Sequence, residues 1–151
     1  MTNEEVILKT KEEFKLRGFS KHTLDEYLRT IRHFATFYDN APVDTLGEKE
    51  IRKFLLHLVD LGKSSGSVNV ANSALRFIYG AVLERNINCR MIPRQKDYRR
   101  FPDIMSKKDI SKFFSVIDNL RDKAIFETIY GAGLRISEII CLRVQDIDSK
   151  F

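Results

Sequence analysis

Arg135 follows directly on Gly131-Ala132-Gly133-Leu134, and Ser137 and Glu138 come just behind it. An arginine in that setting can hold a phosphate. Its guanidinium is a rigid, permanently charged fork that matches phosphate oxygens. Glycine accepts the left-handed backbone that ends a helix. A chain turned that sharply carries the arginine on a fixed elbow and not on a loose loop. The plainer alternative is a surface arginine behind a helix C-terminus, where the dipole welcomes a cation anyway.

A second set of candidates is polar and basic. On one helical stretch His22, Asp25, Arg29, Arg32 and Thr36 line the face opposite the apolar stripe, with Lys21 beside them. On another, Asn69, Asn72, Ser73 and Arg76 share a polar face. Short polar side chains and arginine on one helix face suit a helix lying in a nucleic-acid groove. A solvated face is the ordinary alternative for each. Arg90, Arg94, Lys96, Arg99 and Arg100 then crowd a short stretch with the single acid Asp97. A net charge of +5 agrees with a polyanionic partner. His22, His33 and His57 have no metal-ligand spacing with cysteine or with one another.

These residues need elements to hold them. The first helix is expected over residues 3–17, ended by Gly18. Ser20 caps a second, to about Tyr38, with Leu24, Tyr27, Leu28, Ile31, Phe34 and Ala35 at helical spacing. Thr45 and Glu48 have the spacing of a capping box for a third, carrying Ile51, Phe54, Leu55, Leu58 and Leu61. After the Gly62–Gly66 loop a fourth runs from about Ser67 to Glu84. Together they predict a compact four-helix domain over residues 1–86. Pro93 and Pro102 bracket the basic stretch, which reads as an interdomain linker over 87–103. Beyond it Ser106 and Asn119 are expected to cap two helices. Gly133 ends the second of these, and Ser137 caps a short third. No strand pattern occurs before Phe151. The second of these helices is apolar almost all round, through Ile125, Phe126, Ile129 and Tyr130. It needs more cover than residues 104–151 provide, so this stretch is expected to be the first part of a larger domain.

At 43% hydrophobic residues, with eleven Phe and five Tyr, the chain is not disordered. No stretch approaches the roughly 18 apolar residues of a membrane span, and the acidic start Thr2-Asn3-Glu4-Glu5 lacks a signal-peptide pattern. Cys89 and Cys141 then read as reduced thiols of a cytoplasmic protein.

Gly133-Leu134-Arg135, Ser137-Glu138, Leu142 and Asp146-Ile147-Asp148 resemble the first active-site block of the tyrosine recombinases, also called phage integrases. The layout upstream is similar to theirs as well: a SAM-like core-binding domain, then a catalytic domain. The resemblance implies an all-α chain here, a core-binding domain followed by the first helices of an incomplete α+β catalytic domain. It implies that Arg135 contacts the scissile DNA phosphate and that Glu138 supports it; a first-turn helix acid is the alternative for Glu138. Tyr130 takes a packing position, not that of the nucleophile. The family's hairpin lysine, His-x-x-Arg pair, further His or Trp and nucleophilic tyrosine all follow the arginine block. They find no match here, so this chain alone is expected not to cleave DNA. Double-stranded DNA is the implied partner, with homo-oligomers or intact recombinase subunits on it, and neither metal nor nucleotide cofactor is implied. The rival readings are a catalytically inactive site-binding module, a non-functional truncated product, and a helical RNA-binding protein.

Overall fold

The computed structural model describes residues 1–88, 90–96 and 102–147. Cys89 and the calls on Asp97, Arg99, Arg100 and Asp148 lie outside them. The chain divides into two compact units, Met1–Arg99 and Arg100–Phe151. All regular structure among the described residues is helical, as the sequence predicts, and no helix there is long and apolar enough to cross a membrane.

The first unit is built from α1 (Asn3–Leu16), α2 (Lys21–Phe37), α3 (Glu48–Asp60) and α4 (Ser65–Phe77). Ser20 caps α2 by accepting the Thr23 N–H, as its position foretells. Ser64, not Ser67, opens α4: its hydroxyl accepts the Ser67 N–H. The predicted Thr45–Glu48 box does not form. Thr45 sits in a 3-10 turn, Val43–Thr45, and donates its hydroxyl to the Pro42 carbonyl. Leu46 is buried in extended backbone, and α3 starts only after Gly47, whose N–H is taken by the Glu50 carboxylate at 2.9 Å. Leu61 falls outside the core, at 58% exposed.

The α2 stripe supplies Leu28, Ile31 and Phe34 to a core shared with Ile51, Phe54 and Leu55 of α3 and Val68, Ala71 and Leu75 of α4. α1 contributes Val6, and its Asn3 side chain ties down the turn before α3, donating to the Ala41 carbonyl and accepting the Val43 N–H. The chain does not continue as a regular helix to Glu84. It widens into a π-helical turn, Ile78–Val82, which carries Tyr79. The Tyr79 hydroxyl is buried and donates to the Val43 carbonyl at 2.7 Å, with the Leu46 carbonyl at 3.1 Å. A phenylalanine there would leave the Val43 carbonyl only the Leu46 N–H at 3.3 Å and the Leu46 carbonyl only Arg85 at 3.4 Å. Tyr79→Phe is expected to lower stability by about 1–2 kcal/mol.

The same phenol predicts a pH response. Burial raises the Tyr79 pKa above its ordinary value of 10.0, and Tyr27 and Tyr38 shift the same way, chiefly by burial. The folded chain keeps these protons where the unfolded chain would lose them. The stabilisation is therefore complete below pH 10.0 and is lost as pH rises past it. Urea midpoints on either side of that pH should fall on the alkaline side, and fall less in Tyr79→Phe.

The second unit contains α5 (Lys107–Ser115), α6 (Leu120–Ala132) and α7 (Ile136–Cys141), followed by a 3-10 turn, Val144–Asp146. Ser106 and Asn119 cap the first two as expected. α5 and α6 meet through Phe113 against Phe126, centroids 5.5 Å apart, and Phe114 against Tyr130 at 5.9 Å. None of these three helices buries a residue fully, and Ile125, Phe126, Tyr130, Ile136 and Ile140 are exposed.

Candidate nucleic-acid interface

In the second unit Gly133 closes α6 in the left-handed conformation, φ 66° and ψ 28°. Its N–H and that of Leu134 both return to the Ile129 carbonyl. The chain then turns outward, and Arg135, not Ser137, is the N-cap of α7. The cap is made by Glu138. One carboxylate oxygen accepts the Arg135 backbone N–H at 2.8 Å, and the other accepts its guanidinium at 2.8 Å. Ser137 lies inside the first turn of α7.

The Arg135 side chain is 82% exposed, so the remaining guanidinium N–H groups face solvent on a pinned stem. The two Arg135 bonds, backbone first, hold the Glu138 carboxyl below its ordinary pKa. The brace is thus present above pH 4.5 and is lost as pH falls through the depressed value. Glu138→Ala is expected to free the elbow, read as faster trypsin cleavage after Arg135.

In the first unit α2 and α4 lie side by side, and the seam between them is open to solvent. One groove is lined by His22, Tyr27, Asn69, Ser73 and Arg94. A second, beside it, is lined by Arg29, His33, Lys63 and Ser67. Lys21, His22, Arg29 and Arg32 are all exposed on α2. Arg29 pairs with Glu26 at 3.1 Å, so one acid offsets part of this face.

The four polar residues of α4 are placed differently from α2's. Asn69 exchanges two hydrogen bonds with the backbone of Gln95, at 3.0 and 2.9 Å. Asn72 is 1% exposed, and its amide donates to the carbonyls of Ile92 and Pro93. Its own carbonyl accepts Arg76 Nε at 2.7 Å, and Arg76 also donates to the Ile92 carbonyl. The Ser73 hydroxyl bonds the Asn69 carbonyl and receives Arg94 at 3.1 Å. The structure therefore brings Asn69, Asn72, Ser73 and Arg76 together, but around the segment Ile92–Gln95. Asn72 is enclosed and cannot reach a base edge from this position.

The front of the basic stretch is accordingly fastened to the first unit. The Asn88 N–H bonds Glu48, Arg52 donates to the Met91 carbonyl, and the Ile92 side chain is 1% exposed. Arg90, Arg94 and Lys96 are exposed. Arg52, Ile92, Gln95 and Lys63 carry no assignment from the sequence, and His33 enters there only as a rejected metal ligand. The signal for the first three was the apolar pair Met91-Ile92 inside an otherwise polar run; His33 was marked only by its place one turn after Arg29.

Comparison with known proteins agrees with this division. The description "phage integrase, N-terminal SAM-like domain" matches residues 7–89, and "phage integrase family" matches residues 103–150. The chain is similar to the putative integrase/recombinase y4qK of Sinorhizobium fredii, 36% identical over 141 residues, covering 92% of this chain and 46% of that protein. It is 29% identical over 143 residues to the tyrosine recombinase XerD of Oceanobacillus iheyensis, covering 87% of this chain and 48% of the other. With the tyrosine recombinase XerC of Bacillus subtilis it shares 25% over 144 residues, 87% and 47% of the two chains. The chain belongs to the phage integrase, or tyrosine recombinase, family, which acts in DNA recombination. It spans about half the length of the curated relatives it matches.

Proposed function

We propose that these 151 residues are the DNA-binding portion of a site-specific tyrosine recombinase, carrying the first catalytic arginine but not the nucleophilic tyrosine. The observation that carries the reading is Arg135. Within the matched integrase segment it stands exposed on a glycine elbow, with Glu138 holding its amide and its guanidinium together. A fork fixed at its stem and open at its tip suits an oxygen on which charge develops during phosphoryl transfer. In the intact enzyme Arg135 binds the scissile phosphate and Glu138 keeps it aimed. The reaction is DNA cleavage through a 3′-phosphotyrosyl link, strand exchange and religation.

Duplex contact belongs to the first unit and the basic stretch. Lys21, His22, Arg29 and Arg32 on α2, with Arg94 and Lys96, meet the backbone phosphates, and Arg99 and Arg100 add their positive charge. Asn69, Asn72, Ser73 and Arg76 act through the segment they hold. The first unit has a closed core of its own, which supports binding without cleavage by this chain, a site-occupying module.

A titration of fluorescent duplex with the purified chain across a salt series tests this. The expected log–log slope is about −4 or steeper, as for roughly five neutralised phosphates. A nicked duplex that traps phosphotyrosyl links should give no covalent adduct. A flat salt response from a folded sample, or equal preference for single-stranded RNA, would sink the reading.

A further inference from the structure

We propose that the polar face of α4 is a latch: Asn69, Asn72 and Arg76 hold residues Ile92–Gln95 on the first unit and so place Arg94 at the mouth of the α2–α4 groove as a duplex phosphate contact. The inference rests on the DNA-binding reading and names the residues that position its arm.

The segment has no regular structure to fix it, since its backbone pairs with side chains instead. Asn69 takes both the N–H and the carbonyl of Gln95, since a side-chain amide carries an acceptor and a donor side by side. Asn72 and Arg76 converge on the Ile92 carbonyl from one turn apart, and Asn72 also takes that of Pro93. Pro93 has no N–H to satisfy and a fixed φ, so the arm is stiff where it is gripped. Ile92 anchors it from below, beside Leu55 and Val68.

Arg94 lies between these grips. It reaches Ser73 through one guanidinium nitrogen, and that hydroxyl is itself oriented by the Asn69 carbonyl. Arg94 makes no ion pair among the described residues. Its charge lies beside Tyr27, opposing the rise that burial gives that phenol. A cation with a hydroxyl partner and no carboxylate keeps donors for a phosphate oxygen. Held in place, it loses little freedom when DNA arrives; released, it must be ordered at that moment.

The test compares the full chain with Asn69→Ala, Asn72→Ala and Arg94→Ala. The first readout is limited trypsin cleavage after Arg90 and Arg94 without DNA, scored by mass. The second is the duplex titration across salt. Asn69 is only half-buried, so Asn69→Ala should leave the urea midpoint in place even if Asn72→Ala does not fold. The latch predicts cleavage several-fold faster in Asn69→Ala. Duplex affinity should fall roughly tenfold, and the log–log slope should lose about 0.9, as in Arg94→Ala. Combining Asn69→Ala with Arg94→Ala should weaken binding no further than Arg94→Ala alone.

Unchanged cleavage in Asn69→Ala would overturn the latch. Faster cleavage with unchanged affinity would overturn the role given to Arg94. Failure of the parent chain itself to bind would remove the DNA-binding reading and Arg94's role with it, and would be seen before any variant is compared.

Discussion

Phe34→Ala is expected to lower the stability of the first unit by about 3–5 kcal/mol. Phe34 is fully buried at the centre of the α2 stripe, with its ring edge-on to Phe54 at 5.2 Å and to Tyr38 at 5.5 Å. Truncation removes the transfer free energy of the ring and leaves a cavity between α2 and α3 that neighbouring helices cannot fill without shifting. Against a total of roughly 5–15 kcal/mol for a domain, that is about a fifth of the stability or more. With a urea slope near 2 kcal/mol/M the midpoint should fall by about 2 M. Phe34→Leu should lower it by much less, about 1.5 kcal/mol, because volume is largely kept. Phe113→Ala in the second unit removes a ring already 40% exposed, and its effect should be small. A small midpoint change in Phe34→Ala would mean that the core is not centred where the burial places it.

The helices of both units were legible because their apolar residues recur at helical spacing, on faces that are buried in the first unit and largely exposed in the second. Leu28, Ile31 and Phe34 are named by the sequence and found in the core. Caps were legible where a side chain serves the amides ahead of it, as Ser20, Ser106 and Asn119 do. They were misread where the acid at the third position does the work alone. Glu50 caps the Gly47 N–H and Glu138 the Arg135 N–H, with no serine or threonine in the cap position to announce either. Thr45 and Ser137, the hydroxyls near these caps, lie to either side of the true starts at Gly47 and Arg135.

The candidate site divides in the same way. The elbow at Gly133 and the exposed Arg135 could be read from residue types, because the left-handed turn demands glycine and the fork has one obvious chemistry. The face of α4 could be recognised as polar, but not what it faces. An asparagine that will grip a peptide and one that will read a base present the same amide, and only the position of Ile92–Gln95 tells them apart. From its charges and bracketing prolines that segment reads as a basic interdomain linker, whereas one well-seated isoleucine and a set of side-chain amides fasten it.

Arg94→Ala combined with Arg99→Ala is expected to weaken duplex binding by roughly ten- to a hundredfold near physiological salt, with the log–log slope falling by about 1.8. Each charge-assisted contact to a phosphate releases condensed counterions, so losing two should show in the slope as well as in the affinity. Arg135→Ala changes the formal charge in the same direction but should leave binding within about twofold. Its guanidinium already shares the Glu138 carboxylate, and its proposed work is on one phosphate during chemistry, not on the duplex as a whole. The two substitutions therefore separate holding the DNA from stabilising the reacting phosphate. Fluorescence anisotropy with one labelled duplex across salt decides it. If Arg135→Ala abolished binding as the double substitution does, Arg135 would be part of the clamp, and the elbow would have to be read as a grip on ground-state DNA.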